Sequence, residues 1–553
     1  MLAGCTPWPE EFAARYRQKG YWLGITLPEM VERTAARFPD KTALVYGDRR
    51  LTYTELVRAV DSLACGFVQH GLKPLDRVVL HLPNSADFVI VFLGLIKAGV
   101  IPVMALPAHR HGEIGHFIAH AQAVAYLIPD RTKDFDYRAM AAELAPASPS
   151  LRKVFVLGEP GAGQIDLRAM LAAKVEAAQA ATILAPLRPP ASEVALMLLS
   201  GGTTGMPKLI PRTHDDYVYN CRASAAAYNL DDKTVYLAVL LLAHNYTLIA
   251  PGFLGMMAVG GTTVIASNMT AEHAFALIER ERVTMAALVP PLAMAWLAAC
   301  DANRHNLSSL QFATCGAARL SPEMRAEFEA RIGCTYIEEF GTGEGFLCQT
   351  PRNAALEVRM NGSGKPISEA DEVRIVDEND HDVAEGERGE ILARGPYTIR
   401  GYYNAPAINA SSFTADGFYR MGDMARLKDG TIYVEGRKKD LINRGGEKIS
   451  SEEVEDLVRT HPAIANVCVV AMPDDYYGEK ACAFVILKPG ERLAFSDLVA
   501  FMESTRIARF KFPERLEVVE SFPMSPVGKI LRHELRKTIA ARLAEEKATT
   551  VGR

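Results

Sequence analysis

Short apolar runs alternate with amphipathic segments along most of this chain, and this alternation constrains the fold more than any other feature. Helical patterns lie between several of the runs, for example at residues 85–98 and 271–282. Alternating strands and helices predict an α/β fold whose sheets are largely parallel. The runs have the length of buried strands and lie at 78–82, 101–105, 195–199, 235–242 and 285–289.

The later part of the chain predicts a different organisation. A chain of 553 residues exceeds what one core usually organises, so we expect at least two domains. Residues 139–191 are rich in alanine and proline, which indicates peripheral helices and loops, and residues 386–403 indicate a small β-rich subdomain. The polar segment 436–447 has the composition of a hinge. We therefore predict an N-terminal core at 1–438 and a C-terminal domain at 439–553.

Charge and cysteine content exclude several classes of protein. The net charge is −5 and no long basic run occurs, so nucleic acid is not an expected partner. Nine cysteines without a CxxC pair, and an N-terminus without a signal-peptide pattern, indicate a cytoplasmic protein with reduced thiols. The apolar stretch 283–300 contains Pro290 and Pro291, which predict a buried strand followed by a helix and no membrane span.

The segment LSGGTTGMPK at 199–208 is the strongest local signal of chemistry. Backbone N–H groups freed by glycine can surround phosphate oxygens, hydroxyl groups add donors, and Lys208 adds positive charge. The spacing is not that of a Walker A loop. A flexible surface loop is the alternative interpretation of this segment taken alone.

Further motifs follow in order: FGTGEG at 340–345, YRMGD at 419–423, GR at 436–437 and PVGK at 526–529. Together with LSGGTTGMPK they resemble the core motifs of the adenylate-forming superfamily. The segments ALPAHR at 105–110, KLIPRTHDDY at 208–217, AHNY at 243–246, RGPYTIRGYY at 394–403 and INRGGEK at 442–448 resemble the stand-alone aryl-acid adenylating enzymes of siderophore assembly.

This resemblance implies a large N-terminal domain of two α/β-layered sheets with a β-barrel subdomain, and a small mobile α+β C-terminal domain. It also implies ATP and Mg²⁺ as cofactors. The enzyme would activate 2,3-dihydroxybenzoate or salicylate as aryl-AMP and load it onto the phosphopantetheine thiol of an aryl carrier protein. Because only 24 residues follow Lys529, we expect the carrier to be a separate protein.

The resemblance also implies roles for individual residues. Lys529 is expected to contact the carboxylate and the α-phosphate, Asp423 and Arg437 the ribose, and Glu344 the Mg²⁺ ion. Residues 315–318 with Glu339 are expected to border the adenine. The complete predicted ATP site is Ser200, Gly201, Gly202, Thr203, Thr204, Gly205, Lys208, Ala317, Glu339, Gly341, Thr342, Asp423, Arg437 and Lys529.

The predicted acid pocket departs from the dihydroxybenzoate pattern at two positions. His244 is expected to be catalytic and to face the substrate carboxylate, and Asn245 to bond an ortho-hydroxyl. Alanine replaces the usual serine at 250 and leucine the usual valine at 347, which favours salicylate but leaves other aryl acids open, such as a hydroxylated pyridine acid. The predicted pocket is His244, Asn245, Tyr246, Ala250, Gly316 and Leu347.

Three further departures lie near the nucleotide: Ala317 replaces the usual glycine, Met421 the usual threonine, and Thr342-Gly343 the usual Met-Ala. Lys439 matches the hinge position of the family, and Gly445 and Gly446 are expected to line the phosphopantetheine tunnel. The rival functions are an aryl-CoA ligase that uses free coenzyme A and a non-catalytic ligand sensor on the same fold. A histidine metal site at residues 109–120 is disfavoured, because the family resemblance places this stretch near the pocket rim without metal. A hydrolase is disfavoured, because neither GxSxG nor HExxH occurs.

Overall fold

The structure, a computed structural model, describes the chain except residues 133–134, 201–206, 303, 445–446, 475, 506, 508, 526–527 and 552–553, and except the side chains of residues 447–448 and 547–551. The chain divides into two compact units. The first unit comprises Met1–Glu372 and Ala393–Tyr419, and the second comprises Val373–Leu392 and Arg420–Arg553. The predicted boundary at residue 439 stays a prediction, since the units group residues 373–392 with the C-terminal part of the chain.

A nine-stranded sheet runs through the first unit. Its central strands pair in parallel, and the antiparallel pairs lie toward the two edges. In spatial order the strands are Lys365–Pro366, Leu347–Gln349, Thr335–Gly341, Phe312–Cys315, Met285–Leu288, Val235–Ala238, Thr262–Ile265, Thr42–Tyr46 and Arg49–Thr52.

A second, seven-stranded sheet of the same unit is parallel except for its edge pair Leu209–Thr213 and Val194–Leu199. Its strands and helices enclose a core that includes Val79, Val103 and Phe117, none of them measurably exposed. In spatial order the strands are Leu209–Thr213, Val194–Leu199, Ile101–Met104, Arg77–Leu80, Ala125–Pro129, Lys153–Leu157 and Ile165–Asp166. A small two-stranded sheet joins Arg131–Thr132 to Phe135–Asp136.

Helices pack beside these sheets, and several of them begin with a side-chain cap. Ser85 accepts a hydrogen bond from the backbone of Phe88, and Thr213 forms a capping box with Asp216. The helices of the first unit are Glu10–Gln18, Leu27–Arg37, Tyr53–Gln69, Ala86–Lys97, His111–Ala121, Tyr137–Leu144, Leu167–Ala172, Ala177–Leu184, His214–Ala227, Asn245–Ile249, Gly252–Val259, Ala271–Glu281, Pro290–Ala299, Pro322–Ile332, Leu356–Asn361 and Pro406–Ser412.

The second unit is α+β. A four-stranded sheet consists, in spatial order, of the strands Glu372–Val376, Gly389–Arg394, Tyr419–Lys428 and Thr431–Arg437. A five-stranded sheet consists of the strands Glu447–Ser450, Leu441–Arg444, Gly478–Leu487, Ile464–Asp474 and Arg515–Val518. The helices Ser451–Arg459, Phe495–Ser504 and Arg532–Val551 belong to this unit. A core that includes Val454, Val469 and Leu498 packs on one side of the larger sheet.

The predicted α/β class is confirmed, and the segment 283–300 folds as the strand Met285–Leu288 followed by the helix Pro290–Ala299. The interpretation of residues 139–191 as peripheral helices and loops was incomplete, because Lys153–Leu157 extends the parallel sheet beside Ala125–Pro129. In its described residues, the segment 436–447 predicted as a hinge contains the end of the strand Thr431–Arg437, the turn Lys438–Asp440 and the strand Leu441–Arg444. Among the described residues, no helix is both long and apolar enough to cross a membrane.

Candidate active site

Two hydrogen bonds close the base of the glycine-rich segment. The strands Val194–Leu199 and Leu209–Thr213 pair antiparallel, and residues 200–208 join them. The Ser200 N–H donates to the Lys208 carbonyl at 3.0 Å, and the Lys208 N–H donates to Ser200 Oγ at 2.9 Å. The predicted phosphate ligands Gly201, Gly202, Thr203, Thr204 and Gly205 lie outside the described residues, so their role stays a prediction.

Tyr402 connects Lys208 with Glu344. The Tyr402 hydroxyl donates to Glu344 Oε1 at 2.6 Å, and Lys208 Nζ lies 4.3 Å from the centre of the Tyr402 ring. Glu344 is buried, and its Oε2 accepts no hydrogen bond from any described residue. A buried carboxylate oxygen next to a lysine fits a Mg²⁺ ion bound together with a polyphosphate.

The turn that carries Glu344 requires glycine at its end. The Gly345 N–H donates to the Thr342 carbonyl at 3.2 Å, and Gly345 has φ +144°. A Cβ atom at Gly345 would lie 2.0 Å from the Tyr397 carbonyl oxygen, so a side chain cannot be accommodated. Thr342 Oγ1 is buried without a hydrogen-bond partner among the described residues, which leaves it available to a ligand oxygen.

Arg212 positions this turn, a role that the sequence alone did not indicate. Its buried guanidinium lies 2.8 Å from Asp216 Oδ1 and donates to the carbonyl oxygens of Gly343 and Tyr397 at 3.0 and 2.9 Å. The sequence signal that could have indicated this role was a charged arginine in the buried strand LIPRT, followed four residues later by Asp216. A buried charge of this kind needs several partners, and these come from segments far apart in the sequence.

Hydrogen bonds fix the donors of the predicted acid pocket. The Tyr217 hydroxyl donates to Asn245 Oδ1 at 2.9 Å, and this bond fixes which end of the Asn245 amide is the Nδ2 donor. His244 caps the helix Asn245–Ile249, and its Nδ1 accepts from the Tyr246 N–H at 3.2 Å. In the neutral ring this assigns the proton to Nε2, which can donate to a carboxylate.

Tyr246 and Gly316 form a crowded wall of the same pocket. The Tyr246 hydroxyl lies 2.8 Å from Thr314 Oγ1. A Cβ atom at Gly316 would lie 3.2 Å from both Tyr246 Cζ and the Glu339 carbonyl oxygen, so this position has little room for a side chain. Ala250 and Leu347 are buried, and Leu347 covers Gly341, where a Cβ atom would lie 2.1 Å from Leu347 Cδ2.

The second unit carries the other predicted nucleotide residues. Asp423 and Arg437 face each other across an antiparallel pair, with Arg437 Nε 2.9 Å from Asp423 Oδ1. Lys439 lies in the turn Lys438–Asp440, where burial lowers the pKa of its ammonium group. Lys529 is half-buried, and its backbone carbonyl oxygen accepts a hydrogen bond from the Ser525 N–H at 2.7 Å. Gly445 and Gly446 lie outside the described residues, and their tunnel role stays a prediction.

Comparison with known proteins decides the family. The model of the AMP-binding enzyme family matches residues 31–403, and that of the AMP-binding enzyme C-terminal domain matches residues 453–529. This chain is an AMP-binding enzyme. The predicted membership of the adenylate-forming superfamily is thereby confirmed, as is the use of ATP with Mg²⁺ that defines such enzymes.

Curated relatives match this AMP-binding enzyme over nearly its whole length. A 2,3-dihydroxybenzoate-AMP ligase of Bacillus subtilis is 45% identical (98% of this chain, 99% of the relative). A salicylyl-CoA synthase / salicylate adenylyltransferase of a Streptomyces species is 42% identical (97% and 97%). A salicyl-AMP ligase / salicyl-S-ArCP synthetase of Mycobacterium tuberculosis is 42% identical (96% and 93%). The apo structure of MbtA from Mycobacterium smegmatis superimposes with a TM-score of 0.75 at 40% identity (97% and 99%).

Ala317 stands where glycine is usual in this family, and the backbone conformation at this position explains that usage. Its φ is +72°, in the left-handed region that disfavours side chains with a Cβ atom. We predict that Ala317→Gly raises the free energy of unfolding of this AMP-binding enzyme by about 0.5–1 kcal/mol, measured by urea denaturation. Ala318, which has no positive φ, is the matched control: Ala318→Gly should lower the same free energy. Equal effects at both positions would contradict the assignment of strain to Ala317.

Glu339 is a buried carboxyl group that accepts a hydrogen bond from the Tyr228 hydroxyl. Burial, with a smaller contribution from the nearby Glu338, raises the pKa of Glu339 to about 8, although the hydrogen bond from Tyr228 lowers it. At pH values between the ordinary carboxyl pKa and this raised pKa, Glu339 holds a proton in the folded state that it has released in the unfolded state. The free energy of unfolding therefore falls as pH rises through this window, and the folded protein loses this proton near pH 8.

We predict that Glu339→Gln weakens the pH dependence of stability. The wild type should lose about 1.4 kcal/mol more per pH unit than the variant below pH 8, because glutamine does not titrate. Urea denaturation between pH 5.5 and 8 measures both slopes. Buried carboxyl groups that do not interact with Glu339 contribute equally to the two proteins and cancel in the difference. Parallel slopes would show that Glu339 is ionised throughout.

Proposed function

We propose that this enzyme activates a 2-hydroxyaryl acid, salicylate or 2,3-dihydroxybenzoate, with ATP. It then passes the aryl group to the phosphopantetheine thiol of a separate aryl carrier protein, in siderophore assembly. The names of the Bacillus subtilis and Mycobacterium tuberculosis relatives support the acid and the acceptor. The name of the Streptomyces relative supports coenzyme A as a second candidate acceptor.

The observation that carries the choice of acid is the orientation of Asn245. Its Oδ1 is occupied by the Tyr217 hydroxyl, so Nδ2 remains as a donor for an ortho-oxygen on the ring. An acid without that oxygen leaves a donor unpaired, which costs about 1–3 kcal/mol. This penalty favours 2-hydroxy acids over benzoate.

The proposed reaction has two displacements. In the first, a carboxylate oxygen attacks the α-phosphorus of ATP, the bond to the β-phosphate bridging oxygen breaks, and pyrophosphate leaves. His244 orients the carboxylate through Nε2, while Lys529 offsets the negative charge that accumulates as the two anions approach. Lys208 and the Glu344 turn hold the departing phosphates. A Mg²⁺ ion bound at Glu344 supplies charge neutralisation at these phosphates.

In the second displacement, a thiolate sulfur attacks the acyl carbon, the bond from that carbon to the phosphate oxygen breaks, and AMP leaves. The rates of both steps depend on the alignment of the reacting atoms more than on proton transfer. Lys439 is proposed as the hinge that exchanges the residues serving the two steps, since it lies in a short turn between two strands.

Pyrophosphate exchange with salicylate, 2,3-dihydroxybenzoate, benzoate and picolinate tests the acid. We expect exchange above the acid-free blank for the 2-hydroxy acids, and benzoate to be at least about tenfold poorer. Mass spectrometry of a phosphopantetheinylated aryl carrier protein, with free coenzyme A in competition, tests the acceptor. Absence of exchange with every acid would overturn the proposed function. Acylation of coenzyme A alone would show that coenzyme A, and not a carrier protein, is the acceptor.

A further inference from the structure

The helix His111–Ala121 carries two imidazole rings whose role the proposed function does not explain. His116 and His120 are four residues apart, so they lie on the same face of the helix. Their rings are stacked, with centroids 5.3 Å apart and planes 10° from parallel, and both residues are half-buried. Among the residues that the structure describes, no group of three or more histidine, cysteine or acidic side chains could hold a metal ion. The pair therefore has to be explained by its contacts with the protein.

His120 holds the backbone next to Tyr402. Its Nε2 lies 3.1 Å from the Tyr403 carbonyl oxygen, and because a carbonyl oxygen only accepts, Nε2 carries the proton and donates. The Tyr403 N–H donates to the Leu209 carbonyl at 3.0 Å. The Asn409 amide bonds both backbone groups of Tyr402, at 2.8 and 3.0 Å. These hydrogen bonds fix the backbone of residues 402–403, and the bond from His120 ties it to the helix.

His116 holds the backbone next to Lys208. Burial lowers the pKa of His116 below its ordinary value, the nearby His120 lowers it further, and a hydrogen bond to the Pro207 carbonyl opposes the shift. Pro207 directly precedes Lys208, whose backbone closes the base of the glycine-rich segment. The two stacked rings thereby join the backbone beside Lys208 to the backbone beside Tyr402.

The two segments that these rings join carry side chains assigned to the phosphates. Lys208 Nζ lies 4.3 Å from the centre of the Tyr402 ring, and the Tyr402 hydroxyl donates to Glu344. We propose that His116 and His120 are positioning residues for the β- and γ-phosphates of ATP. They fix the backbones of Lys208 and Tyr402 relative to each other, and so place the lysine ammonium group relative to the Glu344 carboxylate. This inference rests on the proposed function, which assigns those phosphates to Lys208 and the Glu344 turn.

Isothermal titration calorimetry with ATP and Mg²⁺, and separately with AMP, tests the inference in the absence of an aryl acid, so that no adenylate forms. AMP lacks the β- and γ-phosphates, and its affinity therefore reports the rest of the nucleotide site. We expect His120→Ala to raise the Kd for ATP by about three- to tenfold, the effect of one lost hydrogen bond, and to leave the Kd for AMP unchanged. His116→Ala should act in the same direction. His120→Gln should restore most of the affinity, because a glutamine amide can still donate to the Tyr403 carbonyl.

His111 is the matched control, since it lies on the same helix but its side chain is 47% exposed and pairs with Glu143. His111→Ala should leave both Kd values unchanged. An unchanged Kd for ATP in His120→Ala, or an equal weakening of ATP and AMP, would overturn the inference, because either result leaves the phosphates without a contribution from the pair. Lys208→Ala tests the proposed function separately. If that variant too binds ATP as tightly as the wild type, the assignment of the phosphates to Lys208 is wrong, and the two failures are therefore distinguishable.

Discussion

Replacement of Lys529 by alanine is expected to lower the rate of aryl-adenylate formation by about 10²–10³-fold. The physical reason is electrostatic, because two anions must approach within bonding distance and the lysine ammonium offsets their repulsion in the transition state only. The second step needs no such charge, so transfer from preformed aryl-adenylate to the thiol should continue near the wild-type rate. Pyrophosphate exchange measures the first step, and acylation of carrier protein with synthetic aryl-adenylate measures the second.

Lys537 offers a matched control in the same unit, since its side chain is 70% exposed and pairs with Glu534 on the C-terminal helix. Lys537→Ala should leave both half-reactions unchanged. If Lys529→Ala slowed both half-reactions equally, its role would be structural or shared, and the proposed exchange of residues at the Lys439 hinge would lose its support.

The fold was largely predictable because its elements carry local signals. Buried parallel strands appear as uninterrupted apolar runs, and the helix Ser451–Arg459 begins with acidic residues after a serine cap. The strand Lys153–Leu157 was missed because its neighbours are rich in alanine and proline and obscure the strand pattern. The assignment of residues 373–392 to the second unit depends on sheet pairing between distant segments, which no local pattern reports.

The candidate site, like the fold, was predictable from the sequence only in part. Motif order pointed to Glu344, Lys208 and Asp423, and the structure gives the first two a common neighbour in Tyr402. The support that Arg212 gives to the Glu344 turn could not be predicted, because it depends on which face of a strand points at which partner.

Replacement of Arg212 by leucine is the substitution with the largest expected effect on stability. It leaves Asp216 buried without its cation and removes the donors to the carbonyl oxygens of Gly343 and Tyr397. Breaking a buried pair in this way costs about 3–5 kcal/mol. Thermal and urea denaturation should show a correspondingly lower free energy of unfolding, and a variant as stable as the wild type would contradict the importance of this network.

The conservative variant Arg212→Lys separates positioning from stability. Lysine keeps the charge beside Asp216 but lacks the planar fork that holds the two carbonyl oxygens, so the turn carrying Glu344 loses its support. We expect the Mg²⁺ concentration for half-maximal pyrophosphate exchange to rise about tenfold, by analogy with losses of supporting groups at metal sites.

Arg325 provides the control for this argument. It is equally buried, pairs with Glu338 and donates to the carbonyl oxygens of Leu320 and Gly362, yet it does not contact the Glu344 turn. Arg325→Lys should destabilise the enzyme by a comparable amount without changing its Mg²⁺ requirement. Because both variants disturb a buried arginine of the same chemical type, a Mg²⁺ effect confined to Arg212→Lys can arise only from the connection between Arg212 and the metal-binding turn.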